Sequence, residues 1–166
     1  MLLKPNIKLK GITNINIDIL NKNNIKALLL DVDNTMSTHH GTVLTDGLLE
    51  WIANMQNNGI KLIVLSNSKE WRIKPFAEQI GLDFISSGAK PLPFGYLKGA
   101  KKLSLRCRNI AIVGDQIFTD VLGGNLVGMK TILLTPIKLE DYWGFRFKRW
   151  FERFVYKIHK IKDENE

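Results

Sequence analysis

Two pairs of aspartates and one lysine have the types and spacing to act together in catalysis. They are Asp31 with Asp33, Asp115 with Asp120, and Lys90. Each pair directly follows a short apolar run, and the lysine lies between them in a stretch bounded by glycine and proline. Carboxylates at the end of a buried segment are costly unless a cation or hydrogen bonds stabilise them. Brought together, four carboxylates and one ammonium would bind a hard cation and an anion, and oxygen ligands favour Mg²⁺.

A third apolar run ends in Ser66, Asn67 and Ser68, which add hydroxyl and backbone N–H groups at a predicted helix start. Such groups suit a phosphate oxygen, although helix capping explains Ser68 equally well. Gly114 precedes the second aspartate pair and permits close approach of the backbone. Simpler interpretations stay open for single features: an Asp-Asn turn after the first run, and a solvent-exposed surface charge for Lys90.

Five short apolar segments predict β-strands. They are residues 25–30, 61–65, 84–85, 109–113 and 131–134. They show little alternation, as expected for parallel strands that are covered on both faces. Helical patterns separate them, so the sequence predicts an α/β fold with a Rossmann-like, three-layer open parallel sheet. In such a sheet ligands bind beyond the carboxyl ends of the strands, where the polar residues described above follow.

Three helices are predicted between these strands. The first is capped by Thr45 or Asp46, and its apolar face consists of Leu48, Leu49, Ile52 and Met55. The second begins at Ser68 and is kinked or restarted by Pro75, because proline lacks the N–H that a helix interior needs. The third covers residues 94–103 and follows a proline.

Together these motifs resemble the haloacid dehalogenase superfamily of phosphohydrolases. The matching segments are DVDNT at 31–35, LSNS at 65–68, Lys90, and GDQIFTD at 114–120, and the resemblance covers roughly residues 25–136. The combination of DVDNT, KPLPFGY and GDQIFTDVLGGN further resembles the YqeG-type subgroup of subfamily IIIA, which is related to phosphatidylglycerophosphate phosphatases.

The resemblance implies a role for each matching residue. Asp31 would attack phosphorus and form an aspartyl-phosphate, and Asp33 would act first as general acid and then as general base. Ser66 and the backbone near Asn67 would hold the phosphoryl oxygens, and Lys90 would bridge the nucleophile and the phosphate. Dehalogenases of the superfamily lack the second acid, so its presence here favours phosphoryl chemistry.

The resemblance also implies a Mg²⁺ site. Its ligands would be Asp31, the backbone carbonyl of Asp33, and Asp115, with Asp120 acting directly or through water. Thr35 would order the loop.

The two intervals between the first three motifs are nearly filled by one helix each plus short connections. They therefore leave no room for the cap domain that relatives carry there, and the predicted site is open.

The composition changes after Pro136, and the sequence predicts a domain of residues 1–140 followed by a basic amphipathic C-terminal helix over residues 141–166. Between Trp143 and Lys162 there are seven Lys or Arg residues and one acidic residue, and aromatic residues recur at helical spacing. Three interpretations stay open: packing on the sheet or on a second subunit, contact with an acidic membrane interface, and, least favoured, nucleic-acid binding. The oligomeric state is not predicted.

The net charge of +8 favours anionic partners. Cys107 is the one cysteine, which favours a reducing compartment, and no apolar run reaches the length of a membrane span. We therefore expect a cytoplasmic location, with peripheral contact to the inner face of the membrane. The favoured function is hydrolysis of phosphatidylglycerophosphate, an anionic phospholipid, to phosphatidylglycerol at the membrane surface. A phosphatase for a soluble metabolite or a nucleic-acid end is the alternative, and a non-catalytic binding module is the third candidate.

Overall fold

A six-stranded parallel sheet forms the centre of the protein. The structure, a computed structural model, describes residues 1–37 and 43–137. Its strands are β1 Ile7–Leu9, β2 Ala27–Leu30, β3 Lys61–Leu65, β4 Asp83–Ile85, β5 Ile110–Gly114 and β6 Lys130–Leu134. They lie in the order β1-β6-β5-β2-β3-β4, with every neighbouring pair parallel.

Helices connect the strands and cover both faces of the sheet. They are α1 Ile17–Lys22, α2 Leu48–Asn57, α3 Glu70–Ile80, α4 Pro93–Leu103 and α5 Leu122–Leu126, with a π-helical turn at Ile117–Val121 and 3₁₀ turns at Ile12–Asn14 and Cys107–Asn109. Residues of α2 and α3 pack on one face, and residues of α4 pack on the other. The predicted α/β fold with a Rossmann-like, three-layer open parallel sheet is confirmed.

The central strands are apolar throughout because both of their faces are covered. Every residue of β2 and β5 is buried. In β2, Leu28 and Leu30 belong to the core beneath α2 and α3, whereas Ala27 and Leu29 belong to the core beneath α4. This alternation follows from the two-residue period of a strand. Burial of each leucine side chain contributes roughly 1.5–3 kcal/mol to the stability of the sheet.

The prediction for α2 is correct in position and wrong in two details. The helix begins after Gly47, which has a φ of 73°, and no side chain caps it. Leu49, predicted on the apolar face, is 52% exposed. Trp51 is buried instead, and its indole N–H donates to the carbonyl of Ile15 at 2.8 Å. The packing partner Ile15 lies in the N-terminal segment, which the local helical pattern could not reveal.

The prediction that Ser68 caps α3 is wrong, and so is the alternative in which Pro75 restarts the helix. The helix runs without interruption from Glu70 to Ile80 and contains Pro75. Lys69 is the residue before its first turn, and no side-chain cap forms. Packing of Ile73 and Phe76 in the core stabilises the helix on both sides of the proline.

The N-terminal elements are absent from the sequence prediction. β1 is only three residues long and lies at the edge of the sheet, where Ile7 pairs with Ile132 of β6. α1 is six residues long, and the side chain of Asn16 caps it by accepting from the N–H of Ile19 at 2.9 Å. Elements this short carry too few periodic residues to predict from one sequence.

The carboxyl ends of β2, β3 and β5 lie side by side, because β2 pairs with both of the others. We call the edge formed by the carboxyl ends of the strands the carboxyl edge. Within residues 1–37 and 43–137, the connections after β2 and β3 contain no additional domain. No helix in the described part of the chain is both long enough and apolar enough to cross a bilayer. The predicted C-terminal helix and the boundary at 140–141 lie outside the described residues.

Candidate active site

The loop after β2 brings the first aspartate pair to the carboxyl edge. The N–H of Asp31 donates to the carbonyl of Val113 on β5 at 2.9 Å, so this residue extends the sheet by one position. Its side chain is buried, whereas that of Asp33 is 20% exposed. Asn34 has a φ of 57°, a conformation that asparagine tolerates better than most residues. Thr35 lies in the same turn, and its buried hydroxyl has no hydrogen-bond partner among the described residues.

Lys90 connects two of the buried carboxylates. Its Nζ donates to Oδ1 of Asp31 and to Oδ1 of Asp120, each at 2.6 Å. The lysine side chain is only 3% exposed, so its interpretation as a surface charge is wrong. Burial alone would lower the pKa of Lys90, but the attraction of Asp120 and Asp31 outweighs burial and raises it above its ordinary value. Lys90 therefore remains a charged ammonium.

Asp115 and Asp120 reach the same place from the end of β5. Oxygens of Asp31, Asp115 and Asp120 all lie within 4.8 Å of one another. Gly114 permits this approach, since a Cβ at that position would lie 2.1 Å from Oδ2 of Asp120. Asp120 also accepts the N–H of Gln116 at 3.2 Å. Three carboxylates around one ammonium leave an excess of negative charge, and an all-oxygen set of this kind fits a hard divalent cation.

The side chain of Asn67 is bonded to the backbone of Lys90. Its Nδ2 donates to the carbonyl of Lys90 at 3.0 Å, and its Oδ1 accepts the N–H of the same residue at 2.6 Å. The side-chain amide of Asn67 therefore holds the loop that carries Lys90. The expected contact between a phosphoryl oxygen and the backbone near Asn67 stays a prediction, and Asn67 lines the cleft described below. Ser66 is buried beside it, with its Oγ accepting the N–H of Ser68 at 3.1 Å.

Arg72, in the first turn of α3, is a site residue that the sequence analysis did not identify. Its Nη2 donates to Oδ1 of Asp33 at 2.6 Å, and its Nη1 donates to Oγ of Ser68. The guanidinium thus holds the Asp33 carboxylate beside the loop after β3. No local pattern in the sequence marks this contact, because Ser68 lies before the helix and Asp33 is 39 positions away.

Tyr96, on α4, was also missed. It is fully buried, and its hydroxyl donates to the carbonyl of Thr119 at 2.7 Å, directly before Asp120. Burial, and then the nearby Asp120 charge, raise the pKa of Tyr96, so the phenol stays protonated. Gly123 makes room for the ring, since a Cβ there would lie 2.3 Å from the hydroxyl. Tyr96 therefore fixes the turn that carries Asp120.

The nucleophile candidate has an unusual titration in the absence of a metal. Burial, together with the neighbouring charges of Asp120 and Asp115, raises the pKa of Asp31 to about 7 against the opposing attraction of Lys90. Burying a carboxylate among other carboxylates disfavours its charged form. A bound cation would remove this penalty, because it compensates the negative charge.

These groups line a small cleft that opens at the carboxyl edge. Its volume is about 90 Å³, and its lining residues are Asp31, Asp33, Ser66, Asn67, Ser68, Lys90, Gln116 and Thr119. That is room for roughly three water molecules at their liquid volume. The cleft is therefore large enough for a small anionic group and too small for the rest of a large substrate, which must remain outside.

The burial of Asp31 makes the stability of the metal-free protein depend on pH in a specific way. The metal-free folded protein holds a proton on Asp31 up to about pH 7, whereas the unfolded chain, with the ordinary pKa of 3.8, releases it near pH 4. The free energy of unfolding therefore falls as pH rises from about 4 to about 7. We expect Mg²⁺ to raise the unfolding midpoint by several degrees at pH 8 and much less at pH 5.5, because the proton competes with the cation. Thermal unfolding with and without Mg²⁺ measures this.

Asp115→Ala is the matched variant for that measurement. It should remove most of the Mg²⁺-dependent increase at pH 8, because it takes one carboxylate from the proposed cation site. If Mg²⁺ raised the unfolding midpoint equally at pH 5.5 and pH 8, or as much in the variant as in the wild type, the cation would bind elsewhere.

The fold and this buried, charged cleft define an α/β enzyme that acts on an anionic group. A family model of haloacid dehalogenase-like hydrolases matches residues 21–128, which include every predicted site residue. A protein of Bacillus subtilis (strain 168), named Probable phosphatase YqeG, is 35% identical to this chain over 158 residues, which are 95% of this chain and 92% of the relative. The chain therefore belongs to the haloacid dehalogenase-like hydrolases, and the expectation of a phosphatase of this family, similar to YqeG, is confirmed.

Two further similarities are more distant. Phosphatidylglycerophosphate phosphatase 1, chloroplastic/mitochondrial, from Arabidopsis thaliana is 24% identical over 143 residues, which cover 80% of this chain and 41% of that protein. The crystal structure of D,D-heptose 1.7-bisphosphate phosphatase from B. bronchiseptica, complexed with magnesium and phosphate, superposes with a TM-score of 0.54 at 17% identity. That match covers 66% of this chain and 80% of the other, and it supports the fold.

Proposed function

We propose that this hydrolase is a Mg²⁺-dependent phosphomonoesterase that acts through an aspartyl-phosphate on Asp31. The observation that carries the proposal is the buried cluster of Asp31, Asp115 and Asp120, two of which bond to Lys90. Asp31 and Lys90 line the cleft together with Asp33 and Ser66. A carboxylate attacks a phosphate dianion only when the negative charge of both is compensated. The ammonium of Lys90, already 2.6 Å from Asp31, supplies one such charge.

In the first step a carboxylate oxygen of Asp31 forms a bond to phosphorus while the bond to the alcohol oxygen breaks. Asp33 enters this step with a proton on Oδ2, while its Oδ1 accepts from Arg72. It gives that proton to the leaving alkoxide, so that the alcohol departs neutral. In the second step Asp33 takes a proton from a water molecule, which attacks the phosphoryl group and releases phosphate and the Asp31 carboxylate. Arg72 holds Asp33 at the mouth of the cleft, and Ser66 and Lys90 hold the phosphoryl oxygens.

Mg²⁺ fits the residues present, because Asp31, Asp115 and Asp120 supply hard oxygen ligands and an excess of negative charge. Asp31, Asp115 and the backbone carbonyl of Asp33 would hold it, with Asp120 supporting them directly or through water. When bound, the cation supplies charge neutralisation for the phosphoryl group. The magnesium and phosphate in the B. bronchiseptica enzyme named above support this assignment.

For the substrate we propose phosphatidylglycerophosphate, with phosphatidylglycerol as product. Three observations support it: the similarity to the Arabidopsis enzyme of that name, the small open cleft that admits a phosphate and leaves the rest outside, and the basic aromatic segment between Trp143 and Lys162. Seven basic residues and one acidic residue in that segment give a local charge of +6 (7 − 1), which suits peripheral contact with an anionic membrane on its inner face. The phosphomonoester would then be hydrolysed at the membrane surface.

We expect the full-length protein to hydrolyse phosphatidylglycerophosphate in phosphatidylglycerol vesicles at least tenfold more efficiently, by kcat/KM, than soluble sugar or nucleotide monoesters. Each basic residue near an anionic surface contributes roughly 1 kcal/mol to binding, and salt screens this attraction. Changing Arg149, Arg153 and Lys157 to Gln should therefore lower vesicle hydrolysis and leave that of a short-chain, micelle-free analogue unchanged. A soluble monoester that is hydrolysed equally well or better would contradict the lipid assignment.

A further inference from the structure

Exposed apolar side chains are concentrated at the carboxyl edge, around the opening of the cleft. Trp71 is 75% exposed and Phe94 69% exposed, and both lie in the first turns of helices that begin at this edge. Four further exposed apolar residues lie in loops or a first helical turn at the same edge: Val43, Leu49, Leu92 and Ile137. We call these six residues the apolar rim. The other exposed large apolar residues on the described surface are Leu97, beyond the first turn of α4, and Leu126 and the first two residues of the chain at the opposite edge.

The apolar rim includes residues from helices on both faces of the sheet. α3 packs on one face and α4 on the other, so Trp71 and Phe94 lie on either side of the strand ends that carry the site. The loops next to them are joined across the cleft by the hydrogen bonds between Asn67 and Lys90. Single exposed apolar residues are normal on a protein surface, but a set gathered around an active-site opening indicates a contact surface.

The path of the chain indicates what this surface contacts. Ile137 is the last described residue, and its N–H donates to the carbonyl of Asn34 at 3.4 Å, so the chain leaves the described part directly beside the site loop. The next 29 residues, 138–166, include the basic aromatic segment. Any surface that this segment binds must therefore lie within its reach of the carboxyl edge.

We propose that the apolar rim lies on an anionic lipid bilayer, with the cleft opening toward the membrane. Tryptophan and phenylalanine are suited to the membrane interface. The loops and first helical turns at the carboxyl edge expose charges of both signs, namely Lys69, Asp46, Glu50 and Glu70. The rim would therefore contribute apolar burial, and the basic segment would contribute the attraction to anionic lipid. This inference rests on the proposed lipid substrate and adds the orientation of the enzyme on it.

This orientation explains how an uncapped site can exclude water. The 90 Å³ cleft takes only the phosphate, and the remainder of a lipid stays in the bilayer. With the rim in the interface, the membrane covers the opening in the way that a cap domain or a second subunit would in another enzyme. The phosphomonoester then reaches Asp31 without the lipid leaving the membrane.

The test uses the full-length double variant Trp71→Ser/Phe94→Ser, with Leu126→Ser as its matched control. Leu126 is 52% exposed and lies at the end of α5, at the opposite edge. Binding to vesicles of phosphatidylglycerol and phosphatidylcholine is measured by co-sedimentation, together with hydrolysis of a short-chain, micelle-free phosphatidylglycerophosphate and of the same headgroup in vesicles. Because the changed side chains are exposed, we expect all three proteins to unfold at similar temperatures.

We expect the double variant to bind vesicles about tenfold more weakly and to lose vesicle hydrolysis in proportion, with its soluble activity and the control unchanged. Equal vesicle binding by the double variant and the control would overturn the proposal, as would a wild-type protein that does not bind vesicles. The proposal would also be overturned if the double variant lost hydrolysis of the short-chain analogue to the same extent as hydrolysis in vesicles. A concentration-dependent dimer of the wild type that the double variant abolishes would overturn it as well, since the rim would then contact a second copy. If the wild type, the double variant and the control all fail to hydrolyse the short-chain analogue, the proposed substrate is wrong. The comparison of vesicle binding between the double variant and the control still tests the contact between the rim and the membrane.

Discussion

Asp31→Asn lowers the turnover of a phosphomonoester at least about a thousandfold, the scale observed when an essential catalytic group is removed. Asparagine keeps the shape of aspartate but lacks the charged oxygen that attacks phosphorus, so no aspartyl-phosphate forms. The fold should tolerate the change, because Lys90 retains its 2.6 Å contact with Asp120. Initial rates at saturating Mg²⁺ measure the loss. Fluoroberyllate, an analogue of the aspartyl-phosphate, should bind the wild type and not the variant.

Asp83→Asn is the matched control for this experiment. Asp83 lies at the start of β4, where its side chain is 55% exposed and pairs with Lys102 at 2.6 Å. The same chemical change there removes a surface carboxylate far from the cleft and should leave the rate within about twofold, since exposed ion pairs contribute roughly 0–1 kcal/mol. Near-normal Mg²⁺-dependent hydrolysis by Asp31→Asn would show that the attacking group is another residue.

The sheet and the placement of the catalytic motifs could be predicted because both depend on local patterns. β2, β3, β5 and β6 are continuous apolar runs, and in a parallel sheet their carboxyl ends must meet at one edge. The short strand β4 was predicted from its two adjacent apolar residues, Phe84 and Ile85. Asp31, Lys90 and Asp120 then come together because they follow such strands or lie in a loop between them.

The contacts that hold the site could not be predicted, because they join residues far apart in the chain. Asn67 binds the backbone of Lys90 across 23 positions, and Arg72 reaches Asp33 across 39. Tyr96 and its partner Thr119 lie on separate elements. In each case the residue type is ordinary for its local position, and only the packing of α3 and α4 against opposite faces of the sheet reveals its partner.

The same limit explains the errors in α2. Helical spacing correctly places Leu48, Ile52 and Met55 in the core, but it does not determine how wide the buried face is. The short N-terminal segment packs beside the helix and covers Trp51 in place of Leu49. That segment contains β1 and α1, which are too short to predict, so its effect on α2 could not be predicted either.

We expect Lys90 to have a structural role as large as its proposed catalytic one. Its ammonium is 3% exposed and bonds to two carboxylates that are themselves buried. Removing one partner of a buried charge pair leaves uncompensated charge and typically costs about 3–5 kcal/mol. We therefore expect Lys90→Met, which keeps the length of the side chain, to lower the free energy of unfolding of the metal-free protein by about that amount. Chemical denaturation at pH 8 measures it.

Lys102→Met is the matched control, because Lys102 also bonds to a carboxylate at 2.6 Å but is 40% exposed. Its loss should cost about 1 kcal/mol or less. Mg²⁺ should recover part of the stability of Lys90→Met, since a cation compensates the same carboxylates, but turnover should remain about a thousandfold low because the phosphoryl group has lost the ammonium beside Asp31. If the two variants lose equal stability, Asp31 and Asp120 do not depend on Lys90 for their burial. Full activity of Lys90→Met with Mg²⁺ would remove the lysine from the catalytic mechanism.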